Sequence, residues 1–311
     1  MYYNFLKKII KKNKNLFYLL KKYPVRIYRN SKLEVFTFPR EIWLENTNHC
    51  NAACVMCPRE LQSRPKGIMD FEMYKRLIDE ISEHKDHVKR LHMHNFGEPL
   101  LDKKLPERIK YAKSKGIHHV YFVSNASLLN EEASKRLINS GLDEFKISFY
   151  GVDKETYNNT MINLDFDKTL ENVLNFFKQR KKMNKLKPKV VLQLIPNNFK
   201  DNAIKEKWVK LFEDYIDKNI GDKFNFFDLH NFGDGRDFIN INEKRIVNTC
   251  NYPWRTMVIL QNGEVSPCCL DYNGSINLGN VNNESVIQIW NNSKYRKIRN
   301  DFKNLNYDDY S

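Results

Sequence analysis

From Glu41 onward the chain alternates two patterns of apolar and polar positions. Short aliphatic and aromatic runs bounded by turn formers read as strands, and the longer stretches between them carry apolar residues at helical spacing. The strands are "EIWLENT" (41–47), "VKRLHMHNF" (88–96), "HHVYFVS" (118–124), "EFKISFY" (144–150), "KVVLQLI" (189–195) and "FNFFDLH" (224–230). Helices are expected over 70–85, where Asp70 caps the first turn, and near 103–115, 130–140, 166–182 and 201–218. Such βα repetition calls for right-handed crossovers and a parallel sheet that curls toward a barrel. Sheets of this kind carry their chemistry at the carboxyl ends of the strands. The unusual residues lie there. A cysteine cluster follows the first strand, "FGEPLLD" (96–102) the second, "SNASLLN" (124–130) the third, "FYGVD" (149–153) the fourth and "PNN" (196–198) the fifth.

Both ends depart from this rhythm. In residues 1–40, Leu6, Ile9, Ile10, Leu16, Phe17 and Leu20 fall largely on one side of a helix with lysines opposite. That stripe can dock on the protein's own domain, or the helix can lie on an anionic membrane or on nucleic acid. The pattern changes again near 235, and a loop between 235 and 249 separates a βα unit (41–235) from a smaller C-terminal unit (236–311). The latter reads as a hairpin, "TMVIL" (256–260), "QNG" and "EVSPC" (264–268), then a closing helix over 284–302. The expected fold class is therefore α/β, with a small α+β hairpin-and-helix unit after the sheet and a basic helix before it.

Charge refines the picture. Of the net +14, +10 sits in residues 1–40, where eleven Lys or Arg face one acid, Glu34. The body is nearly balanced, which argues against nucleic acid as its partner. The chain is rich in Lys, Asn, Ile, Tyr and Phe, a bias that AT-rich coding also produces. No apolar run has the length of a membrane span, and the N-terminus lacks the apolar core of a signal peptide. The expected compartment is the reducing cytoplasm, with peripheral membrane contact of the arm left open. There, clustered cysteines bind metal or do redox chemistry more often than they form disulfides.

Three of the six cysteines, Cys50, Cys54 and Cys57, fall within "TNHCNAACVMCPRE" (47–60). A structural zinc site wants four ligands, usually in two pairs, and His49 beside Cys50 is poorly placed to be the fourth. Three thiolates on one short loop suit a cubane iron–sulfur cluster with one iron left open for a further molecule. Here the chain closely resembles the radical S-adenosylmethionine (SAM) superfamily over residues 41 to about 230. The resemblance implies a partial (βα)6 TIM-like barrel, a 4Fe–4S cluster on Cys50, Cys54 and Cys57, and SAM chelated to the open iron. It also implies reductive cleavage of SAM to a 5′-deoxyadenosyl radical that abstracts hydrogen from a substrate.

Carried over by position, Gly97, Glu98 and Pro99 match the turn that contacts the methionine amino group, with Phe96 where the family usually has glycine. Ser124 and Asn125 would face the cofactor from the third strand, Ser148 would contact ribose or carboxylate, and Met56 would pack near adenine. The arginine expected after "ETYNN", near Met161, is missing. On the strand "VKRLHMHNF", His92 and His94 share a face, and lining a site or packing are both open to them. Cys250, Gly263 and Cys268 resemble the opening of the SPASM and twitch extensions, which hold auxiliary iron–sulfur clusters. Here Cys250, Cys268 and Cys269 are the only thiols available to such a cluster. Neighbours on an extended strand face opposite ways, so Cys268 and Cys269 can share a cluster only if the chain turns there. Asp271, His230 or the substrate are the candidates for a fourth ligand.

The expected function is a radical SAM enzyme that dehydrogenates, epimerises or matures a small-molecule, glycan-related or peptide substrate, fed by a donor such as flavodoxin or ferredoxin. RNA modification and a zinc-stabilised protein without catalysis are the alternatives.

Overall fold

The computed structural model describes residues 35–195, 202–227, 250–304 and 306. The basic N-terminal helix, the 235–249 boundary, "PNN" and His230 lie outside the described residues. Strand β1 (Glu41–Leu44) leads into a loop holding the short β2 (Ala53–Cys54), then helix α1 (Phe71–Glu83). There follow β3 (Arg90–His92), α2 (Leu105–Ser114), β4 (Val120–Ser124), α3 (Glu131–Ile138) and β5 (Glu144–Ser148). Next come α4 (Lys154–Thr160), β6 (Met161–Ile162), α5 (Phe166–Lys182), β7 (Lys189–Leu194), α6 (Asn202–Lys210) and β8 (Lys223–Phe226). The C-terminal part contains α7 (Tyr252–Arg255), β9 (Thr256–Ile259), β10 (Glu264–Ser266), β11 (Gly279–Asn280), α8 (Val286–Trp290) and α9 (Ser293–Asn304).

The six expected strands are β1, β3, β4, β5, β7 and β8, and they pair in that order, all parallel. Local chemistry sets the helices between them. Asp70 accepts hydrogen bonds from Glu72 and Met73 N at 2.9 Å, opening α1, whose Tyr74, Leu77, Ile78 and Ile81 face the sheet. Asp165 caps α5, which buries Val173, Phe176 and Phe177 and ends on Arg180, Lys181 and Lys182, a charge order that suits the helix dipole. Along each strand, one set of side chains packs under the helices: Ile42 and Leu44, Leu91 and Met93, Phe122, Phe145 and Ile147, Val190 and Leu192. The alternate set points into the barrel.

The C-terminal hairpin is not a separate layer. β9 pairs parallel with β1, Trp43 opposite Val258, so the sheet runs β11-β10-β9-β1-β3-β4-β5-β7-β8. β9 thus covers the edge that β1 would otherwise expose. Gly263, at φ +89°, makes the hairpin turn. The last helices lock the arrangement: Trp290 Nε1 donates to Phe36 O (2.7 Å) and Arg299 Nε to Pro253 O (2.8 Å).

Three expectations shift. The helix near 201–218 ends at Lys210, and two 3-10 turns, the second closed by Gly221 at φ +94°, carry the chain to β8. The closing helix over 284–302 is two helices, because Asn292 Oδ1 accepts Tyr295 N (2.9 Å) and starts α9 afresh. Helix α4 was not anticipated; Asp153 and Thr156 form a capping box that starts it.

At the amino-terminal rim, Arg180 donates through both guanidinium ends to Asp222, which also accepts Val190 N (2.7 Å); both side chains are buried. Asp222→Ala strands a buried guanidinium and is expected to cost about 3–5 kcal/mol. A urea midpoint unchanged from wild type would contradict this.

Candidate active site

The loop after β1 is closed into a collar before its cysteines are placed. Asn48 Oδ1 accepts Gly67 N (2.8 Å), its Nδ2 donates to Pro65 O (3.1 Å), and Thr47 Oγ1 donates to Gly67 O (2.9 Å). Inside the collar, Cys57 N donates to Cys54 O (3.0 Å) and Arg59 Nη2 to Ala52 O (2.8 Å). The two-stranded ribbon β2–β6 sets Cys54 opposite Met161. Met161 thus sits against the cysteine loop, and its sulfur accepts Tyr150 N (3.4 Å).

Cys50, Cys54 and Cys57 line one cavity of about 460 Å³ at the carboxyl rim. Burial pushes the Cys50 thiol up to about 11 and the Cys54 thiol up to about 12; the neighbouring thiols push the same way and Arg59 against it. Thiols buried in this way ionise together only when a cationic centre shares the site, which is the donor chemistry of an iron–sulfur cluster.

Every residue expected to touch the cofactor lines this cavity except Pro99, which lies behind it in a 3-10 turn (Pro99–Leu101). Glu98 lines the cavity and also has a part within the protein. Its carboxylate is buried and already occupied: it accepts Ser124 Oγ (2.7 Å), Asn125 N (2.8 Å) and Leu100 N (3.0 Å). Burial nevertheless holds its pKa above the usual range. Glu98 therefore clamps the end of β4 to the turn after β3, and Ser124 is first a partner of Glu98. Glu98 N also donates to His49 O (2.7 Å). At Gly97 a Cβ would meet Thr47 O at 2.1 Å, so only glycine lets this turn close on the cysteine collar. Asn125 Nδ2 donates to Asn51 Oδ1 (3.1 Å), and Ser148 accepts Tyr150 Oη (2.9 Å). Met56 is buried against the cavity, and Phe96 meets Tyr272 edge-on at 6.2 Å.

The C-terminal cysteines converge. The chain turns after β10 and sets the Cys268 and Cys269 thiols beside each other, so the Cys268 thiol is pushed up and the Cys269 thiol is held down. Cys250 lies close enough to repel both electrostatically. Cys269 reaches the same cavity as Cys50, Cys54 and Cys57. Asp271 builds the turn: Oδ1 accepts Ser275 N (2.9 Å), and Oδ2 accepts Ser266 Oγ (2.8 Å) and Ile276 N (3.0 Å).

A buried carboxylate joins the two cysteine groups. Glu45, just past β1, takes a bidentate pair from Arg64 (2.8 and 2.9 Å) and accepts Asn95 Nδ2 (3.3 Å) and Gln261 N (3.2 Å). Arg64 Nε continues to Tyr272 O (3.2 Å), Gln62 donates to the same oxygen (3.0 Å), and Ser63 N donates to Asn273 (2.9 Å).

Beneath these loops the two strand histidines differ. His92 is held on two sides: Tyr121 Oη hydrogen-bonds Nδ1 (2.5 Å) and Trp43 stacks on the ring at 3.3 Å between centroids, while Nε2 stands 3.3 Å from Glu41 without hydrogen-bond geometry. Contact with His92 holds the Glu41 carboxyl down to about 2, and Arg255 adds to it; burial pushes His92 down to about 3, so its ring is neutral. His94, one pleat higher, lines the cavity, and burial keeps it neutral too. The alternation on β1, β3, β4 and β7 was the signal that could have placed Trp43, His94, Tyr121 and Gln193 here.

Comparison with known proteins agrees with this site. Residues 44–195 match the radical SAM superfamily, and residues 250–309 match SPASM, an iron-sulfur cluster-binding domain. The S-adenosyl-L-methionine-dependent 2-deoxy-scyllo-inosamine dehydrogenase of Niallia circulans is 24% identical over 267 residues, covering 83% of this chain and 84% of that protein. The PqqA peptide cyclase of Bradyrhizobium diazoefficiens is 32% identical over 129 residues, covering 40% of this chain and 32% of the cyclase. Among solved structures, BtrN in complex with AdoMet and 2-DOIA superimposes with TM-score 0.58 at 22% identity, over 86% of this chain and 87% of that one. Streptococcus suis SuiB bound to precursor peptide SuiA gives 0.67 at 14% identity, over 92% and 72%. The fold is thus the partial barrel with a C-terminal SPASM domain. The chain belongs to the radical SAM superfamily and is a SPASM-containing radical SAM enzyme, with a 4Fe–4S cluster, SAM and auxiliary iron–sulfur as the cofactors its domains imply. The RNA-modifying and zinc-binding alternatives give way to this reading. No helix among the described residues is long and apolar enough to cross a membrane.

The thiol energetics give a pH prediction. In the metal-free chain, Cys50 and Cys54 should react with iodoacetamide at pH 8 roughly 100-fold more slowly than free cysteine, accelerating about tenfold per pH unit toward pH 11. Labelling at the rate of free cysteine would contradict the burial described here.

Proposed function

We propose that Cys50, Cys54 and Cys57 hold the cluster that binds SAM, that Cys250, Cys268 and Cys269 hold an auxiliary cluster, and that the substrate is a small molecule bound between them. The observation that carries this reading is the shared cavity, which Cys269 enters from the C-terminal unit and the collar cysteines from the other side. When bound, the first cluster and SAM supply a 5′-deoxyadenosyl radical that removes a hydrogen atom from the substrate.

The protein's own residues do the positioning. The collar presents three thiols without a fourth, and the Gly97 turn lays backbone against it. Glu98, Ser124 and Asn125 hold the strand ends in register, which leaves main-chain groups of the turn to meet the amino acid part of SAM. Met56 and Tyr150 give apolar surface for the adenine side, with Ser148 beside them. The walls near Trp43 and Phe227 keep water from the reacting carbon.

A small substrate, glycan-related in the broad sense, is favoured over a peptide on two grounds. The relative matched over most of both chains is named for an inosamine, and the match to the peptide cyclase is confined to 40% of this chain. Dehydrogenation is the reaction class this supports, with epimerisation sharing its first step. A reducing protein such as flavodoxin or ferredoxin would feed the clusters in the cytoplasm, and any membrane contact would fall to the basic arm.

The anaerobically reconstituted, dithionite-reduced enzyme should convert SAM to 5′-deoxyadenosine and methionine. Cys50→Ala should abolish this at least 100-fold, while Cys269→Ala should retain SAM cleavage and lose substrate turnover. Cleavage that survives Cys50→Ala would sink the assignment.

A further inference from the structure

His92, at the end of β3, and His94, two residues on, face the barrel interior, and of the two only His92 has a hydrogen-bonded ring nitrogen, Nδ1 against Tyr121 Oη. His94 makes no hydrogen bond with any described residue, and its Nδ1 is sealed from solvent without a partner. A buried polar atom left unmatched in the protein is costly unless the same ring gains elsewhere. The ring borders the cavity, which offers that gain. From β7, the Gln193 side chain also lines the cavity with no hydrogen bond to a described residue. Around them stand the rings of Trp43, Tyr121, Tyr252 and Phe227. Aromatic faces interleaved with unpaired donors and acceptors suit a compact ring whose C–H faces are apolar and whose edge carries hydroxyl or amino groups.

Resting on the function proposed above, we propose that His94 and Gln193 hydrogen-bond the hydroxyl or amino groups of a small polyhydroxylated ring, and that His94 determines specificity for it. His94 is neutral here, so it recognises such groups by hydrogen bonding rather than by charge. His94 lines the cavity together with Tyr121, whose ring lies 5.5 Å from its own.

The test uses the full reconstituted chain with SAM bound, titrated calorimetrically with 2-deoxy-scyllo-inosamine and, in parallel, with cyclohexane-1,3-diol, which lacks most of the polar edge. Wild type should bind the aminocyclitol more tightly than the diol. His94→Ala should weaken aminocyclitol binding about 10- to 100-fold, the range of one buried hydrogen bond left unmade, and change diol binding far less. His94→Gln, which keeps a donor and an acceptor, should restore part of the loss and serves where the alanine variant does not fold. SAM affinity should stay within about twofold in both variants. Wild type that binds SAM but not the aminocyclitol would overturn the substrate class and turn attention to peptides. Equal aminocyclitol affinity in wild type and His94→Ala would overturn the role of His94 alone. Failure of wild type to bind SAM would sink both this proposal and the reading beneath it.

Discussion

The site depends on one buried carboxylate. Glu45 stands where β1 ends and the cysteine collar begins, and it accepts hydrogen bonds from Arg64, Asn95 and Gln261. Each donor belongs to a different part of the site: the returning limb of the collar, the end of β3, and the turn of the C-terminal hairpin. Taking a carboxylate and a guanidinium out of water costs several kcal/mol per ion, and even good geometry does no more than offset that. Such a pair adds little net stability. What it fixes is geometry, because any other arrangement of these three segments leaves a buried charge without its partner.

That constraint acts together with the sheet. β9 lies against β1 in parallel register, so the hairpin carrying Cys268 and Cys269 is built onto the same strand that launches Cys50. The two cysteine groups are distant in sequence and leave the sheet at opposite ends: β10 runs antiparallel to β9, so Cys268 and Cys269 follow it toward the Glu41 end of β1, and the turn there brings Cys269 to the shared cavity. Arg64 and Gln62 then tie the collar to Tyr272, just past Cys269. A radical enzyme needs its cofactor, substrate and auxiliary cluster held without slack, since a small displacement of reacting atoms costs orders of magnitude in rate. Here the holding is done by strand pairing and one polar hub on rigid elements.

Much of this was legible in the sequence, and the reasons are local. The periodic runs gave all six barrel strands, and Asp70 and the 166–182 pattern gave helices close to their observed bounds. The collar cysteines and the Gly97 turn were legible because their spacing is chemistry that a short loop must satisfy. What stayed hidden was long-range. Nothing in "TMVIL" announces that it will pair with β1, and Glu45 and Arg64 read as ordinary charged residues until the fold buries them together. Side-chain allegiance was equally opaque. Glu98 and Asp271 carry acidic groups that a motif invites one to aim at a ligand, yet both accept backbone amides and serine hydroxyls, Glu98 from the end of β4 and Asp271 from its own turn. His92 and His94 have the same pattern, and what tells them apart, the hydroxyl of Tyr121 and the stacked ring of Trp43 on His92, comes from other strands.

The central claim is that two separate cysteine groups each hold iron around one cavity. The most direct measurement is the iron content of the anaerobically reconstituted chain with Cys50, Cys54 and Cys57 all replaced by alanine. About four irons should remain, one cubane on Cys250, Cys268 and Cys269. A folded variant with no iron would contradict the account: the C-terminal thiols would then be structural, and the enzyme would work with a single cluster.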